Sequence, residues 1–155
     1  MTHILFVCLG NICRSPMAEF VMKDIVRKAG RGADFHIESA GTSNEEYGNP
    51  VHFGTRNKLA KVGISVAGKT ARCMQRMDYR KYDYIIAMEQ RNIAGIRRIC
   101  GEDTQGKVYR LLDFTNRPGD IADPWYTGNF DAAYRDILAG CEAFWRYLQK
   151  KCKNI

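Results

Sequence analysis

The sequence predicts an α/β fold: one domain with a four-stranded parallel sheet, helices on both faces, and a phosphate-binding loop between the first strand and the first helix. Three observations carry this. Short apolar runs begin near Ile4, Phe35, Tyr84 and Val108. Segments with apolar residues at helical spacing lie between them, and strands alternating with helices form a parallel sheet covered on both sides. The first run also delivers Cys8-Leu9-Gly10-Asn11-Ile12-Cys13-Arg14-Ser15-Pro16, a loop whose composition suits an anion.

Taken in order, Ile4 to Val7 is a buried strand. Ala18, Val21, Met22, Ile25, Val26 and Ala29 then mark one face of a helix, stopped by Gly30. Phe35 to Ala40 reads as the second strand, ending in Ser39-Ala40-Gly41-Thr42. Ser43 to Pro50 is a polar, turn-rich loop flanking the first one. A helix from Phe53 to Val62 closes at Gly63, and Ile64 to Met77 has no clear assignment. Tyr84 to Met88 is the third strand, and Ile93, Ile96, Ile99 and Cys100 mark a helix stopped by Gly101. Val108 to Leu112 is the fourth strand. A long loop, Asp113 to Asn129, precedes a final helix marked by Phe130, Tyr134, Ile137, Leu138, Cys141, Phe144 and Leu148. Long ordered loops in compact domains are usually functional.

Composition narrows the class. A chain of 155 residues with 45% hydrophobic and 26% charged residues reads as one globular domain over positions 1–155, able to bury about 70% of its unfolded surface. It has no 18-residue apolar run, and Cys8, Asn11 and Arg14 interrupt the N-terminal apolar stretch. Neither a membrane span nor a signal peptide is expected, which points to the cytoplasm. The six cysteines (8, 13, 73, 100, 141 and 152) contain no Cys-x2-Cys pair and no nearby His partner, so neither a zinc site nor a disulfide framework is expected. A net charge of +7 suits anionic substrates. No basic-aromatic motif calls for nucleic acid, and the Lys150-Lys151-Lys153 cluster reads as a solvated end. Oligomeric state is left open.

The chemistry is concentrated after the first strand. Ser15 reads as a helix N-cap with Pro16 in the first turn. Inward backbone N–H groups and the helix N-terminus favour an anion, and Arg14 offers a planar fork to two oxygens. Cys8 then lies on the floor of an anion cradle that favours its thiolate, and a thiolate under a phosphate is a nucleophile for phosphoryl transfer. In isolation, Cys8 is also readable as a buried thiol and Arg14 as a surface cation. A proton donor for the leaving oxygen is available from Asp120 or Asp123. Pro124 holds Asp123 extended. Trp125 and Tyr126 place aromatic walls beside it.

The Cys-x5-Arg-Ser loop, with Gly10, Asn11 and Cys13 inside it, resembles that of the low-molecular-weight protein tyrosine phosphatases. Asp123-Pro124-Trp125-Tyr126 resembles the same family's acid loop. Ser39-Ala40, Arg72, the Asp83 to Met88 strand and Leu111-Leu112-Asp113-Phe114 extend the likeness over most of the chain. The resemblance implies a metal-free phosphatase acting on phosphotyrosine proteins or peptides through a phosphocysteine. Cys8 is its nucleophile, Arg14 its phosphate clamp and Asp123 its acid, with Asp120 a loop-capping residue. Leu9, Gly10, Asn11, Ile12, Cys13 and Ser15 surround the phosphate. Ile12, Trp125, Tyr126 and Tyr47 line an aromatic slot. Ser39 supports Asn11, which takes a strained conformation, and Ser15 hydrogen-bonds to the sulfur. Glu19 and Glu89 match acidic positions behind the site, or else are solvated acids.

Several residues depart from the family pattern. Lys69 stands where many members carry His, Ser43 to Tyr47 lacks their frequent Trp, and Gly54-Thr55-Arg56 replaces Asp-x-Arg. Cys13 either captures a peroxide-formed Cys8 sulfenic acid as a disulfide or packs as a small apolar residue. Three other functions fit parts of this pattern. An arsenate reductase needs further cysteines close together, whereas a strand separates Cys73 from Cys100. Related protein-arginine phosphatases carry Thr in place of Ile12. A non-catalytic phosphopeptide module would not need Cys8, Arg14 and Asp123 together.

Overall fold

The computed structural model describes the backbone of residues 1–153 and the side chains of residues 1–151. The side chains of Cys152 and Lys153, and with them part of the basic tail, lie outside the described residues. The strands are β1 (Thr2–Cys8), β2 (Phe35–Gly41), β3 (Tyr84–Ala87) and β4 (Val108–Arg110). All are parallel, in the order β2-β1-β3-β4. The helices are α1 (Arg14–Lys28), α2 (Phe53–Ala60), α3 (Asp78–Lys81), α4 (Gln90–Cys100), α5 (Pro124–Thr127) and α6 (Phe130–Lys153).

β1 is a run of apolar residues because both of its faces are covered. Alternation along the strand sends Ile4, Phe6 and Cys8 into the core under α1 and α6, where Met17, Met22, Ile137 and Phe144 meet them. Leu5 and Val7 face the other way and pack with Ile85, Ala87 and Ile96. Cys8 is therefore the last core residue of the central strand. In register it lies opposite Gly41, so the two loops that follow β1 and β2 leave the sheet side by side. Ligands in parallel sheets bind at this carboxyl edge.

Four details differ from the sequence reading. Ser15 is not the N-cap of α1; Cys13 is, and Ser15 sits in the first turn with its hydroxyl turned to the sulfur. β4 stops at Arg110, and Leu111–Phe114 form a 3₁₀ turn. That turn puts Leu111 under α6, where Gly140 leaves it room: a Cβ on Gly140 would lie 2.5 Å from Leu111 Cγ. The long loop is also interrupted by α5, which Asp123 caps. Finally, α2 ends at Ala60, two residues before Val62. Residues 64–77 are largely irregular, with bridges Gly41↔Cys73 and Pro50↔Thr70 that tie the segment to the end of β2 and to the loop that follows it.

Candidate active site

A run of outward carbonyls shapes the loop between β1 and α1. The Cys8 carbonyl accepts from Thr42 N (2.9 Å), Leu9 from Ser43 N (3.0 Å) and Ile12 from His52 N (2.9 Å). The Cys13 carbonyl accepts from the buried Thr55 Oγ1 at 3.0 Å. Each peptide plane carries its N–H opposite its C=O, so these anchors turn the N–H groups of Leu9, Gly10, Cys13 and Arg14 toward the inside of the bowl. Gly41 makes the close approach possible: a Cβ there would lie 2.6 Å from Leu9 O.

Asn11 holds the turn. Its φ of 59° is the only left-handed non-glycine backbone among the described residues, and Asn tolerates that region better than most. Its amide reaches three ways: Nδ2 donates to Ser15 Oγ (2.8 Å) and Ser39 Oγ (3.0 Å), while Oδ1 accepts from Arg72 N (3.0 Å). Its backbone N–H donates to Cys8 Sγ at 3.3 Å, and Ser15 Oγ lies 2.9 Å from the same sulfur. The Asn11 amide hydrogen thus points at Cys8 Sγ, with the Ser15 hydroxyl in hydrogen-bond contact beside it.

Behind Ser39 the network is charged. Ser39 donates to Glu19 Oε1 at 2.5 Å, and Glu19 is paired with Lys23 (2.6 Å) and Lys69 (3.4 Å). Lys69 also donates to Ser39 O at 2.9 Å. Burial lowers the Lys69 pKa below its ordinary value, and Glu19 opposes that shift. The Lys that stands in place of His is therefore integrated here. Arg72 is fixed by a two-pronged contact with Asp78 (3.0 and 3.3 Å).

Arg14 is 1% exposed although charged. Nη1 donates to Ile121 O (2.8 Å) and lies 3.3 Å from Glu89, while Nη2 lies 3.2 Å from Asp123. Its Nε is buried and has no hydrogen-bond partner among the described residues, leaving a donor for an incoming oxyanion. Asp123 caps α5: one oxygen accepts from Trp125 N at 3.0 Å and the other faces Arg14. Asp120 instead accepts from Gln90 N (2.9 Å) and Arg110 (3.0 Å), which makes it a cap of α4. Glu89 is the N-cap of α4 itself.

Cys8, Cys13 and Arg14 form the cleft floor, with Ile12, Trp125 and Tyr126 around it. Its volume of about 120 Å³ is on the scale of one aryl ring, since a dry cavity of roughly 150 Å³ holds benzene. Tyr47 does not join these walls. The turn closed by Tyr47 N to Asn44 O and Asn49 N to Glu46 O leaves its ring 73% exposed. Glu45 and Glu46 border the cleft instead. Cys13 is buried, and its thiol pKa is pushed up to about 12 by burial and by the negative charges of Cys8 and Asp123. Cys8 and Cys13 are both free thiols.

Sequence reasoning missed His52, Thr55, Ile121 and Gly41. The first three act on or through backbone carbonyls, which no side-chain pattern signals. Gly54 is explained by packing: a Cβ there would lie 2.4 Å from the Phe130 ring. Phe130 stacks on His52 (5.1 Å), which meets Trp125 edge-on (5.6 Å). This departure from the pattern backs the aromatic wall. Among the described residues no group of three or more His, Cys, Asp or Glu could hold a metal ion, and no helix is long and apolar enough to cross a membrane.

Known proteins resemble the whole chain. The family model "Low molecular weight phosphotyrosine protein phosphatase" matches residues 3–154. The Bacillus subtilis low molecular weight protein-tyrosine-phosphatase YfkJ is 42% identical over 153 residues, covering 97% of this chain and 98% of that protein. Its crystal structure superposes with a TM-score of 0.94, covering 97% and 96% of the two chains. A protein tyrosine phosphatase from Entamoeba histolytica, crystallised with Hepes in its active site, gives 0.90 at 30% identity over 97% and 99%. The Drosophila arginine phosphatase DARP gives 0.87 at 30% identity over 96% and 98%. With its anion bowl, parallel sheet and a family match over nearly its full length, the chain belongs to the low molecular weight phosphotyrosine protein phosphatases.

Proposed function

We propose that this protein is a cytoplasmic cysteine-dependent phosphatase that hydrolyses phosphotyrosine proteins or peptides, and simple aryl phosphates, through a phosphocysteine. The phosphate sits in the bowl, its oxygens held by the loop N–H groups from Leu9 to Arg14 and by the Arg14 guanidinium. The Cys8 thiolate attacks phosphorus as the bond to the phenolic oxygen breaks, and Asp123 gives that oxygen its proton. Water then attacks the phosphocysteine and loses a proton to the Asp123 carboxylate. The S–P bond breaks, and the Ser15 hydroxyl stabilises the departing thiolate. No metal or organic cofactor and no nucleic acid takes part.

The observation that carries this reading is the convergence of Asn11 N–H and Ser15 Oγ on Cys8 Sγ, beside an Arg14 that already reaches Asp123. Substrate choice is read from the walls. Ile12 offers hydrocarbon, and Trp125 and Tyr126 offer rings. These suit a phenyl group better than a charged guanidinium, and a phosphoserine is too short to bring its phosphorus to Cys8 while keeping those contacts. The test is turnover of p-nitrophenyl phosphate with and without chelator, followed by phosphotyrosine, phosphoserine and phosphoarginine substrates. The reading requires chelator-insensitive turnover and a phosphotyrosine preference of orders of magnitude in kcat/KM. Comparable phosphoserine turnover, or a phosphoarginine preference, contradicts the substrate class.

A further inference from the structure

A second groove opens beside the cleft. The two share Leu9, Asp123 and Tyr126, but only the groove is bordered by Arg91 and Arg98 of α4. Both arginines are exposed, and neither side chain makes an ion pair or hydrogen bond among the described residues. Their neighbour Arg97, by contrast, is paired with Glu102. Seven residues apart on one helix, they share a face and stand about 10 Å apart along its axis. Ala94 between them also borders the groove and leaves it open. The acids at its inner end, Glu89 and Asp123, are both held by Arg14. The outer end is thus a two-pronged cationic track. The cleft alone is bordered by Glu45 and Glu46, so the two margins differ in charge.

A polypeptide that places a phosphotyrosine on Cys8 must leave the cleft over its rim. If it leaves past Leu9 and Tyr126, it enters the groove. An extended chain rises about 3.3 Å per residue, so side chains about three residues apart match the spacing of the arginines. We propose that Arg91 and Arg98 form a substrate subsite that binds carboxylate side chains on one flank of the phosphotyrosine. Glu45 and Glu46 disfavour acids on the other flank. This rests on the phosphotyrosine reading of the cleft, and makes the enzyme selective for the charge and direction of the sequence around its target.

The test uses three phosphotyrosine peptides of equal length: one with neutral flanks, one with three aspartates on the N-terminal side and one with three on the C-terminal side. They are compared on wild type, Arg91→Ala/Arg98→Ala, Arg91→Lys/Arg98→Lys, and Arg146→Ala/Lys150→Ala, which removes equal charge from α6. The expected result at low salt is that one acidic peptide exceeds the neutral one by about three- to tenfold in kcat/KM, through KM, as two exposed ion pairs would give. That ratio falls to near one in the Arg91/Arg98 alanine variant. It largely survives in the lysine and α6 variants, and it fades at high salt, where screening shortens to a few ångströms. No acidic preference in wild type, equal benefit from both flanks, or a preference that survives the alanine pair would overturn the subsite. Equal loss in the α6 variant would mean steering by net charge and would overturn it too. Failure of wild type to hydrolyse p-nitrophenyl phosphate would overturn the phosphatase reading itself, whereas turnover without charge preference removes only the subsite.

Discussion

In the proposed reaction the bowl from Cys8 to Ser15 and the rim above it serve the same ligand, but they are built in opposite ways. In the bowl Asn11, Arg14 and Ser15 are at most 1% exposed, and the Asn11 amide, the Ser15 hydroxyl and both Arg14 Nη atoms are held by protein partners. On the rim Trp125 is 55% and Tyr126 75% exposed. The difference follows from the task. In-line attack tolerates little error, since a misplacement of about 1 Å costs on the order of 10²-fold in rate. A surface that only has to cover a ring and meet a peptide flank can remain solvated. On the proposed reading, chemistry is fixed by buried hydrogen bonds, and selectivity by exposed side chains that can change without disturbing it.

Asp123 sits at the boundary, tied to Arg14 below and leading into the rim above. Its replacement gives the largest of the effects that probe the boundary. Asp123→Ala should lower the rate by ~10²–10⁴, the range typical of a general acid, and more for substrates with poorer leaving groups. Asp120→Asn should keep the rate, since Asp120 caps α4. The reverse pattern between the two variants would reassign the acid.

A matched pair sharpens the contrast between floor and rim. Gly41→Ala adds a single methyl 2.6 Å from Leu9 O, without touching substrate. It should lower kcat about tenfold or more by pushing the loop off its anchors. Trp125→Ala removes a whole exposed ring and should raise KM for aryl substrates a few-fold with kcat nearly unchanged. If Trp125→Ala damaged kcat more than Gly41→Ala, the division of labour would be wrong.

How far the sequence revealed this follows the same division. The bowl was legible because its chemistry is contiguous: strand, Cys8, loop, Arg14 and helix occupy one stretch. The sheet was legible because buried parallel strands are uniformly apolar. What failed depended on backbone groups or packing from afar. Ser15 looked like an N-cap, but the cap of α1 is Cys13, two residues earlier, and the Ser15 hydroxyl lies against the sulfur. Leu111 looked like strand, but Gly140 of α6 draws it into a turn. His52 and Thr55 grip loop carbonyls, which leaves no trace in residue pattern. Tyr47 was expected as a wall because aromatic residues commonly are, yet a local turn faces it outward.

The smallest expected effect concerns Cys13. With its thiol pushed up to about 12, Cys13 is protonated at neutral pH, and its thiolate fraction grows as pH rises toward that value. Capture of a Cys8 sulfenic acid requires that thiolate. Recovery by dithiothreitol after peroxide should therefore be greater in wild type than in Cys13→Ser, with the gap widening from pH 7 to pH 9. Equal recovery at every pH would make Cys13 a packing residue.

The central claim is that the phosphoryl group passes through the Cys8 sulfur at the floor of the bowl. Rapid acid quenching of wild type during turnover of an aryl phosphate, followed by peptide mapping under acidic conditions, tests it directly. The account predicts a phosphorylated peptide spanning Cys8 and no such peptide from Cys8→Ser, which should neither turn over nor lose vanadate binding. Phosphate found on another residue, or steady hydrolysis by Cys8→Ser, would contradict it.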